Sequence, residues 1–426
     1  MIELGLSRIS RLVQHSHLPW RAIHVAGTNG KGSITAYLSA LLAAAGVRCG
    51  SFTSPHLIDR WDCITINERV IQESFFRRVE NEVKLRSQML GVNASEFELL
   101  TATAFEIFTN QNVEVGIIEV GMGGRLDATN VLSNVLVSVI AKIGYDHQAI
   151  LGDTIEKITR EKAGIMKAGV PCVVDGTNEP LVQQVLRAAA DKAHTPITFA
   201  RPDIIQQTFP ELVGIFQHLH LEPHQLANIS CALTGLQQAL PQLKPNSTLP
   251  SLFPYISKTP RPGRLQEISL NPLIPRKQPV LLDGAHNPQS ATVLCAYVDR
   301  NLRKQTPEHA GITWVISASQ GKDIKELFSC IVKPGDNVAV VEFGPVDGMP
   351  WMRSVQAAEL LSVVKAFIPD IARFEIFSRD VLSGLKWADE ISGGGPLVIA
   401  GSLYLVSDVL RLLRGVNSDV DILKSS

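Results

Sequence analysis

Apolar residues in this chain come in short blocks. Each block is followed by a longer stretch in which they recur at helical spacing. In the first half, the blocks at 23–26, 47–53, 113–120, 135–143, 171–175 and 197–200 predict strands, with a short extended piece at 64–67. Helices are predicted at 2–15, 34–45, 73–90, 99–109 and 224–240. In the first of these, Leu4, Leu6, Ile9, Leu12 and Val13 share one side, while Arg8 and Arg11 fall on other faces as solvated residues. Ser95 with Glu98 forms a capping box, and Asp153 with Glu156 predicts another, opening a helix that carries Lys162. Residues 202–221 read as irregular, and 241–260, with five prolines (Pro241, Pro245, Pro250, Pro254, Pro260), as a linker. Strands follow at 280–283, 312–318, 337–343, 373–376 and 396–400, with helices between them and a last helix at 402–413. This rhythm predicts an α/β chain with a parallel sheet in each half and a domain boundary where the linker ends.

The sharpest stretch starts where the first strand stops. Gly27, Thr28, Asn29, Gly30, Lys31, Gly32 and Ser33 lead straight into a helix that Gly46 ends. Glycines let backbone N–H groups turn toward an anion, and the helix N-terminus adds unpaired donors and partial positive charge. Lys31 can reach the outer phosphates of a nucleotide, and the Ser33 hydroxyl can ligate Mg²⁺. The strict G-x-x-x-x-G-K-[ST] pattern is not met, because Val25 replaces its first glycine and Gly32 separates Lys31 from Ser33. The strand before and the helix after supply the context such a cradle needs; the bland alternative is a glycine-rich turn that binds nothing.

Polar groups at other strand ends add to it. Ser54 follows the second strand, Glu119 closes a mostly apolar one, and Asp146-His147 follow the next. A carboxylate at the end of a buried strand is costly unless it is paired or holds a metal, and in an open α/β sheet that edge is where ligands bind. The stretch 121–127 between them reads as a flexible loop with charged tips, Arg125 and Asp127. Hard oxygens with one imidazole suit Mg²⁺ on nucleotide phosphates better than zinc. In the second half Asp283, Gly284, Ala285, His286, Asn287 and Pro288 follow a strand. Pro288 suits the first position of a helix, and Asp283 and His286 are expected to face solvent or the other domain. By sequence alone Lys162 is an ordinary solvated lysine, and Asn228 is undistinguished.

Charge narrows the class. Forty basic and 41 acidic residues give a net charge of −1, which argues against a nucleic-acid binder working by bulk charge. The six cysteines form no C-x-x-C pair and read as small buried residues in a reducing compartment. No apolar run has the length of a membrane span, and the N-terminus has no signal-peptide pattern, so a cytoplasmic enzyme is expected.

Seven segments together carry a resemblance: 27–33, 53–57, 119–127, Asp146-His147, 161–165, Pro262-Gly263-Arg264 and 283–288. In this order they resemble the folylpolyglutamate synthase/dihydrofolate synthase family of the Mur-ligase superfamily, and 401–405 matches as well. The resemblance implies an N-terminal P-loop ATPase-like domain with a parallel-rich sheet (1–260). It also implies a smaller C-terminal Rossmann-like domain (261–426) that completes an interdomain active site. It implies an ATP-dependent amide ligase in which the γ-phosphate passes to a pterin-linked carboxylate and the amine of L-glutamate attacks the acyl phosphate. By residue, it implies Ser33 and Glu119 on one Mg²⁺, and Ser54, Glu119 and His147 on a second. Lys31, His147 and Lys162 would be catalytic, with Lys162 at the position of a lysine that becomes carbamylated. Asn228, Arg264, Asp283 and His286 would touch nucleotide together with 27–33.

Within the family, Leu4-Gly5-Leu6-Ser7-Arg8-Ile9 resembles a pterin-associated segment, and Trp61-Asp62-Cys63 replaces an arginine-bearing motif as in fungal-type dihydrofolate synthases. Gly321 stands where the family usually has an aspartate. The substrate expected is dihydropteroate. Folate tail extension, a bifunctional enzyme, a cell-wall Mur ligase and an inactive nucleotide-binding regulator are the alternatives. A monomer without nucleic-acid or membrane partners is expected.

Overall fold

In the computed structural model, residues 4–14, 16–305 and 311–416 are described. Residues 1–56 with 61–259 form one compact unit, and residues 57–60 with 260–426 form the other.

The first unit runs α1 (Ser7–Val13), β1 (Arg21–Ala26), α2 (Lys31–Ala44), β2 (Cys49–Phe52), β3 (Ile64–Ile66), β4 (Arg69–Val70), α3 (Glu73–Met89), α4 (Glu96–Asn110), β5 (Val115–Glu119), β6 (Val135–Ile140), α5 (Gln148–Leu151), α6 (Ile155–Ala163), β7 (Cys172–Asp175), α7 (Pro180–Ala193), β8 (Ile197–Ala200), α8 (Pro202–Thr208), α9 (Glu211–His218) and α10 (Pro223–Leu243). The strands form one sheet in the order β4-β3-β2-β5-β1-β6-β7-β8. Only β3 and β4 run antiparallel to their neighbours. The six parallel strands therefore end on one edge. Residues Ala26, Phe52, Glu119 and Ile140, the last of their strands, lie on that edge around the centre of the sheet.

β5 and β6 read as continuous apolar runs because helices cover both faces. On one face Ile34, Leu38 and Leu41 of α2 pack with Ile229, Leu233 and Leu236 of α10. On the other, Phe105 and Phe108 of α4 meet Trp20 edge-on at 5.3 and 5.6 Å. Gly50 in β2 is what lets α4 come so close, since a Cβ there would lie 2.5 Å from the Phe108 ring.

Several expectations are corrected. The first helix is shorter than 2–15; Met1 to Glu3 and His15 lie outside the described residues. Arg8 is not simply solvated: its Nε donates to both Glu98 oxygens at 3.2 and 2.9 Å, while Glu98 also closes the capping box with Ser95. The cap of α6 is Thr154, whose hydroxyl accepts from the Lys157 N–H, and Asp153 instead pairs with the Lys157 ammonium at 2.8 Å. Residues 202–221 hold α8 and α9, because Ile205, Leu212 and Phe216 all turn into the core. The proposed linker is not one. Pro241 lies in the last turn of α10, and a 3-10 helix, Leu249–Lys258, buries Leu249, Leu252, Phe253 and Ile256 in the core of the first unit.

The second unit runs β9 (Gln266–Ile268), β10 (Val280–Leu282), α11 (Pro288–Asn301), β11 (Thr313–Ile316), α12 (Ile324–Phe328), β12 (Asn337–Val341), α13 (Ala357–Phe367), β13 (Arg373–Ser378), α14 (Val381–Ser392), β14 (Leu397–Ala400) and α15 (Leu403–Val416). Its sheet order is β13-β12-β11-β14-β10-β9, parallel except for β9, which the sequence pattern did not reveal. Residues 57–60 belong here although they precede the expected boundary. Ile58 is buried in this unit's core, its carbonyl accepts from Arg411 at 2.7 Å, and Asp59 pairs with Arg414. No helix among the described residues is long and apolar enough to cross a membrane.

One buried carboxylate braces this sheet. Asp336 is fully buried and accepts from the Ile312 N–H, the Trp314 indole, the Lys333 N–H and the Arg303 guanidinium at 2.5–2.9 Å. Asp336→Ala is expected to lower unfolding free energy by about 3–5 kcal/mol, as measured by urea denaturation of the full chain; a loss below about 1 kcal/mol would show the brace to be dispensable.

Candidate functional site

The turn after β1 is built so that α2 begins with open donors. Gly30 is the N-cap with φ +93°, a backbone conformation that favours glycine, and it offers no capping side chain. A Cβ there would also fall 2.2 Å from Asn228 Oδ1, so Asn228, buried in the first turns of α10, packs directly beneath the loop. The first-turn N–H groups of α2 are left for an external acceptor. Not every N–H of the loop points inward. Those of Thr28 and Asn29 both donate to the Lys142 carbonyl, at 2.8 and 3.2 Å, and the Thr28 hydroxyl donates to the Gly144 carbonyl. These two residues tie the loop to the segment after β6.

Lys31 folds back over the loop. Its Nζ donates to the Thr28 carbonyl at 3.2 Å and lies 3.8 Å from Glu119 Oε1. The register sets this up: Val25 pairs with Glu119, so the carboxylate emerges beside the start of the loop. Glu119 is buried, and its other oxygen lies 3.5 Å from where a Gly32 Cβ would be. Ser33 stands in the first turn of α2. Ser54, two residues past β2 and on the same edge, has a buried hydroxyl with no hydrogen-bond partner. His147 has φ +52°, is 41% exposed at its side chain, and lies 3.8 Å from Asp146.

Lys162 is not the solvated lysine its helix suggests. It is 4% exposed, and its Nζ donates to the Gly27 carbonyl at 2.8 Å. Burial, aided by the nearby Lys31 charge, lowers its pKa to about 7, against the opposing pull of Asp146 and Asp127. Asp127 is no charged tip either. It is buried, accepts from Met122 N–H and from the Thr129 N–H and hydroxyl, and burial raises its pKa. Arg125 is the exposed tip, paired with Glu161 at 2.9 Å. Behind Asp127, the Thr129 hydroxyl meets His24 Nε2 at 2.8 Å; burial brings this imidazole's pKa down to about 3, and its Nδ1 has no partner.

The second unit's cluster is differently made. Asp283 does not face solvent: it is buried and accepts from the Leu265 and Ala285 N–H groups at 2.7 and 2.8 Å. Burial raises its pKa, against the pull of Arg264. It holds the turn that carries Arg264 to the turn that carries His286. Arg264 is exposed, with one guanidinium N–H on the Gly263 carbonyl at 2.9 Å. His286 Nδ1 sits 2.8 Å from the Gly284 carbonyl, so that nitrogen carries the proton and Nε2 is the basic one. Asn287 caps α11, with Pro288 in its first turn as expected.

The contacts thus bring Lys31, Glu119, Lys162 and Asn228 against the loop 27–33, and place Ser54 and His147 on the same edge. Among the described residues no group of three or more His, Cys, Asp or Glu is assembled as a metal cage. A cation here would draw on hydroxyls, one carboxylate and ligand oxygens, which suits Mg²⁺.

Residues 25–207 match the Mur ligase middle domain, and residues 266–412 match the dihydrofolate synthetase C-terminal domain. A Schizosaccharomyces pombe protein named "Probable dihydrofolate synthetase" is 35% identical, covering 97% of this chain and 99% of its own length. The dihydrofolate synthetase of Saccharomyces cerevisiae is 33% identical, covering 96% and 98%. The solved bifunctional folylpolyglutamate synthase/dihydrofolate synthase of Yersinia pestis, complexed with AMPPNP and a Mn ion, superposes with a TM-score of 0.76 at 26% identity, over 97% of this chain and 94% of that one. The chain belongs to the folylpolyglutamate synthase/dihydrofolate synthase family of Mur-type ligases.

Proposed function

We propose that this chain is an ATP-dependent ligase that joins L-glutamate to dihydropteroate through an acyl phosphate. The observation that carries the reading is the open α2 terminus with Lys31 held between it and the buried Glu119. The choice of dihydropteroate is supported by the near full-length likeness to two proteins named for dihydrofolate synthesis.

ATP binds with its phosphates in the loop 27–33, under the first-turn N–H groups of α2 and the Lys31 ammonium. We assign Asn228 to this nucleotide site and, on the family resemblance, nucleotide contacts to Arg264, Asp283 and His286, Asp283 acting through the turns that carry the other two. A carboxylate oxygen of the pterin substrate attacks the γ-phosphorus. The bond to ADP breaks, and the chain's task is to neutralise charge at the transferred group. The glutamate amine then attacks the acyl carbon, phosphate leaves with both electrons of its bond, and the nitrogen loses its proton. The orphaned Ser54 hydroxyl, Ser33, Glu119 and His147 fit a hard divalent cation. We assign Ser33 and Glu119 to one Mg²⁺, and Ser54, Glu119 and His147 to a second. Bound there, the cations would supply Lewis-acid neutralisation of phosphate oxygens.

Lys162 fits the carbamylated lysine of the family. Carbamylation needs the free amine, and burial supplies it near neutral pH. The bifunctional relative makes tail extension the second reading. Glutamate- and ATP-dependent phosphate release separates them: activity with dihydropteroate alone is expected, and activity with tetrahydrofolate alone would overturn the choice.

Glu119→Gln is expected to lower kcat by about 10²–10³-fold with the fold intact; near-normal turnover would sink the metal assignment. Lys162 gives a pH signature. Between about pH 7 and the ordinary lysine range the unfolded chain holds a proton that the folded chain has released. Stability therefore rises with pH across that window, and the full cost of burial is present below it. In buffer free of carbon dioxide, Lys162→Met should flatten the rise in unfolding free energy above neutral pH; an unchanged slope would show that Lys162 does not carry it.

A further inference from the structure

The stretch between β6 and His147 has no strand partner beyond one bridge from Lys142 to Asn29, yet it is held on two sides. From the phosphate loop, Thr28 uses its N–H on Lys142 O at 2.8 Å, its hydroxyl on Gly144 O at 3.0 Å, and accepts from the Gly144 N–H at 3.1 Å. From the other side, one side chain does the work. Asn178, in the turn between β7 and α7, is 3% exposed; its Oδ1 accepts from the Ile143 N–H at 2.8 Å, and its Nδ2 reaches Asp175 O at 2.9 Å and Ala141 O at 3.4 Å. Asn178 is itself pinned. Its N–H donates to Asp175 O, and its carbonyl accepts from Gln183 Nε2 at 2.8 Å, while the same amide also reaches Gly176 O.

The carboxamide therefore ties Ala141 and Ile143 to the turn after β7: Oδ1 holds the Ile143 N–H, and Nδ2 is shared between the Asp175 and Ala141 carbonyls. Ala141 and Ile143 are buried at the edge of the sheet, and His147 lies four positions beyond Ile143. We infer that Asn178 is a positioning residue that sets where His147 stands relative to the phosphate loop. It does so by clamping residues 141–143 against Thr28. The inference rests on His147 being a metal ligand, as proposed above. Groups that fix a metal ligand's position from outside the coordination shell commonly change metal affinity by about 10–100-fold when removed. Asn178 touches neither substrate nor metal, so its effect must pass through the segment it holds.

The test is nucleotide-dependent Mn²⁺ binding to the full chain, read by electron paramagnetic resonance with AMPPNP present, and not by turnover. Asn178→Ala should weaken Mn²⁺ binding about tenfold. In a His147→Ala background the same change should cost less than about twofold, because the residue through which it acts is gone. Gln183→Ala, which loosens the peg without leaving a buried N–H unpaired, should move Mn²⁺ binding in the same direction by a smaller factor. It keeps the test open if Asn178→Ala fails to fold. Equal losses in both backgrounds, or unchanged Mn²⁺ binding in a folded Asn178→Ala or Gln183→Ala chain, would overturn the inference. Absence of nucleotide-dependent Mn²⁺ binding in the unaltered chain would overturn the metal assignment and this inference with it.

Discussion

Two lysines gathered beside an uncapped helix terminus on one edge of a parallel sheet are the constraint on which the site depends. Lys31 and Lys162 lie within electrostatic reach of each other beside an uncapped helix terminus, and Glu119 is the buried carboxylate paired with Lys31. The fold tolerates this in two ways. Lys31 is held by the Thr28 carbonyl and Glu119. Lys162 sheds its proton more readily than a lysine in water, because desolvation penalises the ammonium. Such an arrangement complements an anion carrying several negative oxygens.

The same constraint explains why the loop is braced from behind. A phosphate cradle that moved would lose the alignment of its N–H groups, since charge stabilisation falls off when donors must reorganise. Asn228 lies so close under Gly30 that no side chain fits there. Gly27 gives its carbonyl to Lys162, and Thr28 and Asn29 give their N–H groups to Lys142. The loop therefore offers α2's first turn to a ligand and spends its other polar groups on the scaffold. This division corrects the simple picture in which all N–H groups of a glycine-rich turn face the anion.

Much of the candidate site was legible because strand ends announce themselves. Ser54, Glu119 and His147 each follow an apolar run, and topology brings the ends of parallel strands to one edge. What was missed has specific causes. The prolines of 241–260 suggested a linker, yet Leu249, Leu252, Phe253 and Ile256 repeat at helical spacing and bury one face. Thr154 rather than Asp153 caps α6, since the helix begins one residue later than the Asp153–Glu156 spacing suggests, and Asp153 pairs with Lys157 four residues on. Lys162 could have been found: it follows Ile155 and Ile158 at helical spacing, which puts it on the buried face of α6. Asp127 carried a signal too, since an aspartate two residues before a threonine closes a tight local turn, as Asp175 with Thr177 does again.

Asn178 left no such trace, and the reason is general. Its partners Ala141 and Ile143 lie far from it in sequence, and its function depends on which backbone groups happen to lack a ladder partner where two strands end at different heights. Periodicity reports what is buried, and motifs report what touches ligand. A side chain whose only work is to satisfy orphaned backbone at a sheet edge belongs to neither class. Yet the edge is where the chemistry sits, and an unpaired buried N–H there would be paid for in lost order rather than in lost contact. The accuracy of a strand-edge site is thus set as much by the groups that complete its backbone hydrogen bonds as by the residues that face the substrate.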